Sequence, residues 1–246
     1  MATTAFFKSE SYYKSIISSL QDLADLFRTA LNDLKAKNPT WNPDRDARLA
    51  VFLRCQKTLE SLVFTFGHLR TELNLREWWS QRLGTATSVE SQAKAVIEDL
   101  ESLQKMGLVQ LVYGALERCL RAVLRALEPK ACNQGTAPFG EIYGRLLGKL
   151  GLLKKWQGFM DVFVRVRRTF HLQGVYFPAS PEKEIEIEYR GRPYKFEFGR
   201  PATFVELPFC FTLVWDCKDL LVEVVTHRDI SSLSEVLDPF PAAGAP

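Results

Sequence analysis

The sequence predicts a mainly α-helical protein: a helical bundle with a C-terminal β-hairpin appendage and a final helix. Three observations predict it. Apolar residues recur every three or four positions through the first two thirds of the chain. The period drops to two on both sides of a Gly-containing turn at residues 184–198. Helical spacing then returns from Phe209 to Val225.

The first helix is expected between Ser9 and Lys37, with Ile16, Leu20, Leu23, Leu26 or Phe27, Leu31 and Leu34 as its buried stripe; Asn38-Pro39 stops it. Asn42-Pro43-Asp44 opens the next, with Asn42 as N-cap and Pro43 at the first helical position, where a missing N–H costs nothing. That helix carries Leu49, Phe52, Leu53, Leu59, Leu62, Val63 and Phe66 as far as Gly67. A further helical pattern runs from Leu69 to Leu83 and includes Trp78-Trp79, read as packing. Residues 84–88 read as a loop, with Ser88 and Ser91 as candidate caps for a helix to Lys105. Gly107 separates it from another helix, Leu108 to Leu127, with Leu111, Ala115, Cys119, Val123 and Leu127 on one side, and Pro129 ends that one.

After the turn-rich Asn133-Gln134-Gly135-Thr136, short and long helices are expected at Phe139–Leu150 and Leu153–Leu172. In the second, Trp156, Phe159, Phe163, Val166 and Phe170 form a seam for packing on another helix. Glu184–Tyr189 and Tyr194–Phe198 alternate around Arg190-Gly191-Arg192-Pro193, a β-hairpin too small to fold alone. Phe204, Val205 and Leu207 are candidates for one more short strand, and Asp238 to Pro246 reads as a disordered tail. The organisation is therefore N-terminal helices over 1–88, a helical core over 89–176, the hairpin over 177–207, a C-terminal helix over 208–238 and a tail over 239–246.

Composition places the chain among ordinary globular proteins, with 246 residues, 46% apolar and 25% charged. Five cysteines in no C-x-x-C pair, with no apolar leader after Met1, predict a cytoplasmic setting; Cys210 and Cys217 read as core thiols. No apolar run approaches the ~18 residues of a membrane span. Net charge is +3, from 32 basic and 29 acidic side chains. Between Met106 and Val175, eleven Lys or Arg stand against four acids, a local balance of +7 that leaves −4 for the remainder. Such a segment either steers a polyanion or forms solvated helix faces.

The three histidines are the candidates for acid–base chemistry. His68 lacks an acidic or cysteine partner at ligand spacing, and His227 sits where a cation suits a helix end, so both read as structural. His171 instead closes the run Arg165-Val166-Arg167-Arg168-Thr169-Phe170-His171. At ~100° per residue from Phe163, Arg167 falls at ~40° and His171 at ~80°, both beside the seam. Arg168 at ~140° and Arg165 at ~200° face outward. A guanidinium one turn from an imidazole depresses its pKa and offers a phosphate two hydrogen bonds. Glu117 and Arg121 form a second i, i+4 pair: either a surface ion pair or, if the helices pack side by side, a means for Glu117 to orient His171 or Arg167. Phosphate-loop, dinucleotide, zinc-protease, nucleophile-elbow and zinc-finger spacings are all missing, so no cofactor and no metal is expected.

Tyr113-Gly114-Ala115-Leu116-Glu117-Arg118-x-x-Arg121, followed by a helix ending in Arg-rich sequence, His171 and Gly174, resembles the HEPN superfamily over about residues 89–176. That family's domains are helical bundles. Many are metal-independent endoribonucleases of toxin–antitoxin, antiphage and RNA-processing systems; others are non-catalytic nucleotide- or protein-binding modules. The family signature is an Arg, commonly with a polar follower, then four to six residues to a His. Arg165 satisfies the count but is followed by Val166, whereas Arg167 has the polar Arg168 after it but three intervening residues. The resemblance implies His171 as general acid or base, Arg165 or Arg167 stabilising phosphate charge, and Glu117, Arg121 and Arg168 in support. It also implies an RNA substrate, a homodimer and an antitoxin or other protein partner. The alternative is a non-catalytic interaction module or defence-complex subunit in which Arg167 and His171 only hold helices together.

Overall fold

The computed structural model describes residues 8–83, 89–131, 137–171, 175–177 and 184–238. The expected loop with its Ser88 cap, Cys132, the 133–136 turn and the 239–246 tail lie outside the described residues, as does the side chain of His171. The fold is mainly helical with one antiparallel hairpin, as the periodicities predict.

Helix α1 (Glu10–Lys37) begins at Ser9, whose hydroxyl accepts from the Tyr12 amide, and buries Ile16, Leu20, Leu23, Phe27, Leu31 and Leu34. Phe27 rather than Leu26 completes the stripe. Helix α2 (Ala47–His68) starts later than Asn42-Pro43 suggests. Asn42 instead makes a turn of its own, its Oδ1 accepting from the Asp44 amide at 2.9 Å, while Asp46 caps α2 through the Arg48 amide. The expected 69–83 helix is split into a π-helical turn (Leu69–Leu73) and α3 (Arg76–Leu83). Trp79 is buried and donates to the Leu73 carbonyl at 2.7 Å, so its indole fastens that junction.

Gly107 does not break the chain: α4 runs unbroken from Val89 to Leu127, 39 residues. An interior glycine costs only about 1 kcal/mol relative to alanine, which the buried neighbours Leu108, Val109 and Val112 offset. Leu111, expected on the buried side, is exposed; the buried face turns through Val112, Ala115, Leu116, Cys119 and Val123. Helices α5 (Phe139–Lys149) and α6 (Leu153–His171) follow, and the α6 seam of Trp156, Phe159, Phe163, Val166 and Phe170 is buried throughout.

Strands β1 (Glu184–Tyr189) and β2 (Arg192–Glu197) pair with Ile185 opposite Phe196 and Ile187 opposite Tyr194. Arg190 (φ 52°) and Gly191 (φ 68°) both lie in the left-handed region, the two-residue turn that suits strand twist. Arg192 and Pro193 thus belong to β2 rather than to the turn. Ile187, Tyr189 and Phe196 share one core with α1, α2, α4, α6 and α7, so the hairpin is built into the body. Phe204 and Val205 form no strand: the Val205 amide bonds Ala202 within a turn, and Leu207 already begins α7 (Leu207–Thr226). His227 closes α7 and caps the short α8 (Arg228–Ser231) through the Asp229 amide. Asp238, expected in the tail, is buried and paired with Arg54. Cys210 and Cys217 are core thiols, and burial pushes Cys210 up to about 12.

Gly158 explains how the hairpin reaches α6. A Cβ there would stand 2.5 Å from the Glu188 carbonyl oxygen, so only glycine lets β1 approach this closely. Gly158→Ala is expected to cost about 1–3 kcal/mol in a urea titration, the usual cost of overpacking. Gly144→Ala in α5, where a Cβ meets nothing within 4 Å, is the control and gains up to about 1 kcal/mol.

Candidate functional site

The candidate site lies where α4, α5 and α6 meet. Its hub is Tyr113 on α4, a buried ring met edge-on by Phe139 (5.2 Å) and Phe163 (5.4 Å). The Arg167 guanidinium lies over that ring, 4.8 Å from its centroid. The Arg167 carbonyl accepts from Gln110 Nε2 at 3.1 Å, which fixes this turn of α6 on α4. Arg167 is half-buried, as its calculated position beside the seam predicts. Its Nε is buried without a hydrogen-bond partner, and it makes no ion pair among the described residues.

Arg165 departs from expectation. The wheel turns it outward, yet its side chain is only 21% exposed, because α5 covers that flank. Its Nη1 donates to the Asp161 carbonyl at 3.1 Å and lies 3.9 Å from the Asp161 carboxylate. The same carboxylate accepts from the Tyr143 hydroxyl at 2.7 Å, so Asp161 joins α5 to α6. Arg168 is exposed, as expected. Arg165 and Arg167 thus engage different neighbours: one is held by an acid, the other by an aromatic face.

Glu117 accepts from Arg121 Nε and Nη2 at 2.9 and 2.6 Å, and Arg121 also donates to the Ala137 carbonyl at 3.0 Å. The pair therefore fastens the start of α5 to α4; the bonded partner of Glu117 is Arg121, not Arg167. His171 ends α6 one turn beyond Arg167. Gln110, Tyr143 and Asp161 are not singled out by the sequence, and Tyr113 appears there only as the first residue of the quoted motif, with no role of its own. The i, i+4 spacing of Asp161 and Arg165 was the one signal available; the Tyr143–Asp161 bond spans separate helices and leaves none.

Both phenols are pushed above their ordinary 10.0. Burial is the main cause at Tyr113, with Glu117 adding to it and Arg167 and Arg168 opposing. At Tyr143 burial again leads, followed by the hydrogen bond to Asp161. A phenol raised in the folded state contributes stability that is complete below pH 10 and is lost as the pH climbs through the folded value. An absorbance titration is expected to show these tyrosines ionising only together with loss of helical circular dichroism. Ionisation of all seven tyrosines near pH 10 with the helix signal intact would contradict the packing.

Chemically, an arginine stacked on a tyrosine and unclaimed by a carboxylate among the described residues can offer its fork to an anion, and phosphate matches that geometry bidentately. Arg121 and Arg165, each beside an acid, are less suited to that role. No described helix is long and apolar enough to cross a membrane. Comparisons with protein-family models, with curated proteins and with solved structures find no match to this chain.

Proposed function

We propose that this chain is a HEPN-like RNA-binding protein and metal-independent endoribonuclease. Arg167 holds the scissile phosphate, and His171 moves the proton of the attacking ribose 2′-hydroxyl. The observation that carries the reading is Arg167: half-buried over Tyr113, without an ion pair among the described residues, one helical turn before His171. Exposed Arg168 and the basic balance of residues 106–175 supply the field that draws RNA in. Arg165, engaged with Asp161, serves as a positioning residue, and the Glu117–Arg121 pair supports the Tyr113 hub through Phe139.

A second reading, a non-catalytic interaction module of a defence complex, is favoured by how many basic side chains tie the helices together. Arg145 and Lys149 both pair with Glu128, and Lys155 pairs with Glu223. Salt dependence of RNA binding separates the two. For single-stranded RNA each phosphate contact contributes about −0.7 to the slope of log K against log salt. The RNA reading predicts a steep slope that Arg167→Gln lowers by roughly that amount. Absence of salt-dependent binding would favour the interaction module.

A further inference from the structure

We propose that the cavity between α4, the C-terminal end of α6 and residues 201–206 is a subsite for a guanine base of the bound RNA. The inference rests on the RNA reading above and names what that RNA carries beside its reactive phosphate. The cavity has a volume of about 700 Å³, within the ~300–1,000 Å³ range of small-ligand sites. Thr169 and Phe170 line it and directly precede His171, so an occupant lies at the same end of α6 as Arg167.

The walls and polar groups together point to a base. Met106, Phe170 and Ala202 offer apolar surface to a flat ring. Lys105 Nζ donates to the Val205 carbonyl at 2.9 Å and stands 3.8 Å from a Glu206 carboxylate oxygen. An ammonium has three hydrogens, so a donor remains beside an acceptor. Asp99 contributes a second carboxylate to the lining. Two carboxylates against one ammonium repel a phosphate, which leaves the sugar–phosphate chain outside the cavity.

Guanine presents one acceptor, O6, next to two donors, N1–H and the N2 amino group. Lys105 donating to O6 and Glu206 accepting from N1–H and N2–H complement all three. Uracil would set a second carbonyl against the carboxylate, while adenine and cytosine would use that carboxylate only once. Unpaired single strands expose this edge for reading.

The test is fluorescence anisotropy with labelled RNA tetramers containing one guanine, one inosine or adenine only. Inosine keeps O6 and N1–H and lacks the N2 amino group. Wild type is expected to bind the guanine tetramer about tenfold more tightly than the inosine one, the loss of one bond to a charged acceptor. Glu206→Gln should bring guanine down to the inosine level without changing helical circular dichroism, since Glu206 is 72% exposed and makes no side-chain cap bond. Equal binding of all three tetramers by wild type would overturn the guanine subsite and leave the RNA reading standing. No binding of any tetramer at low salt would overturn the RNA reading, and the subsite with it. Free GMP displacing the guanine tetramer as well as unlabelled tetramer does would assign the cavity to a mononucleotide and overturn the RNA assignment.

Discussion

Arg48→Met is expected to lower stability by about 3–5 kcal/mol, the cost of breaking a buried ion pair from one side. Arg48 is fully buried in the first turn of α2. Its Nε and Nη2 donate to the two Asp46 carboxylate oxygens at 2.9 and 2.5 Å. Its Nη1 donates to the carbonyls of Ile230 and Leu233, both at 2.9 Å, and its guanidinium lies 3.7 Å from the centre of the Trp41 ring. The C-terminal segment returns alongside: the Ala47 amide bonds Val236 and the Asp238 amide bonds Arg45, each at 2.8 Å. Methionine would leave Asp46 with only the residue-48 amide and no counter-charge, and the Ile230 and Leu233 carbonyls without the guanidinium donor. Urea unfolding measures the loss, and Arg228→Ala, at a side chain 91% exposed, is the control expected to stay within about 0.5 kcal/mol. An Arg48→Met midpoint equal to wild type would show that the C-terminal strap is not held by this residue.

His171→Ala is expected to reduce RNA cleavage by about 10²–10⁴-fold, the usual contribution of a positioned general acid or base. The expectation follows from the proposed function and from helix geometry, which sets residue 171 one turn beyond Arg167. Arg167→Gln should cost about 10²–10³-fold, because a donor aimed at developing phosphate charge is removed. Thermal unfolding of the His171 variant is the accompanying readout. A lowered melting temperature with cleavage unchanged would assign His171 to helix packing.

The helices and the hairpin were legible because apolar period follows from helix and strand geometry. Long-range closure was not. Asp46 and Arg48 look like two charges at an exposed helix start; their burial comes from residues 230–238, more than 180 positions away. Gly107 reads as a break because glycine is a poor helix former, and flanking core contacts overrule that local preference. Within the site, the wheel located Arg167 beside the seam and Arg168 outside it. It turned Arg165 outward because a single helix cannot report that α5 lies on its far flank. The Tyr113 ring under Arg167 depends on how α4 and α6 pack, which no spacing within either helix records.

The most direct test of the Arg167–His171 site is end-group analysis of single-stranded RNA incubated with the purified protein in EDTA. The site predicts fragments ending in 2′,3′-cyclic phosphate, formed by wild type and not by a folded His171→Ala variant. Intact RNA with wild type, or identical fragments with both proteins, would contradict it.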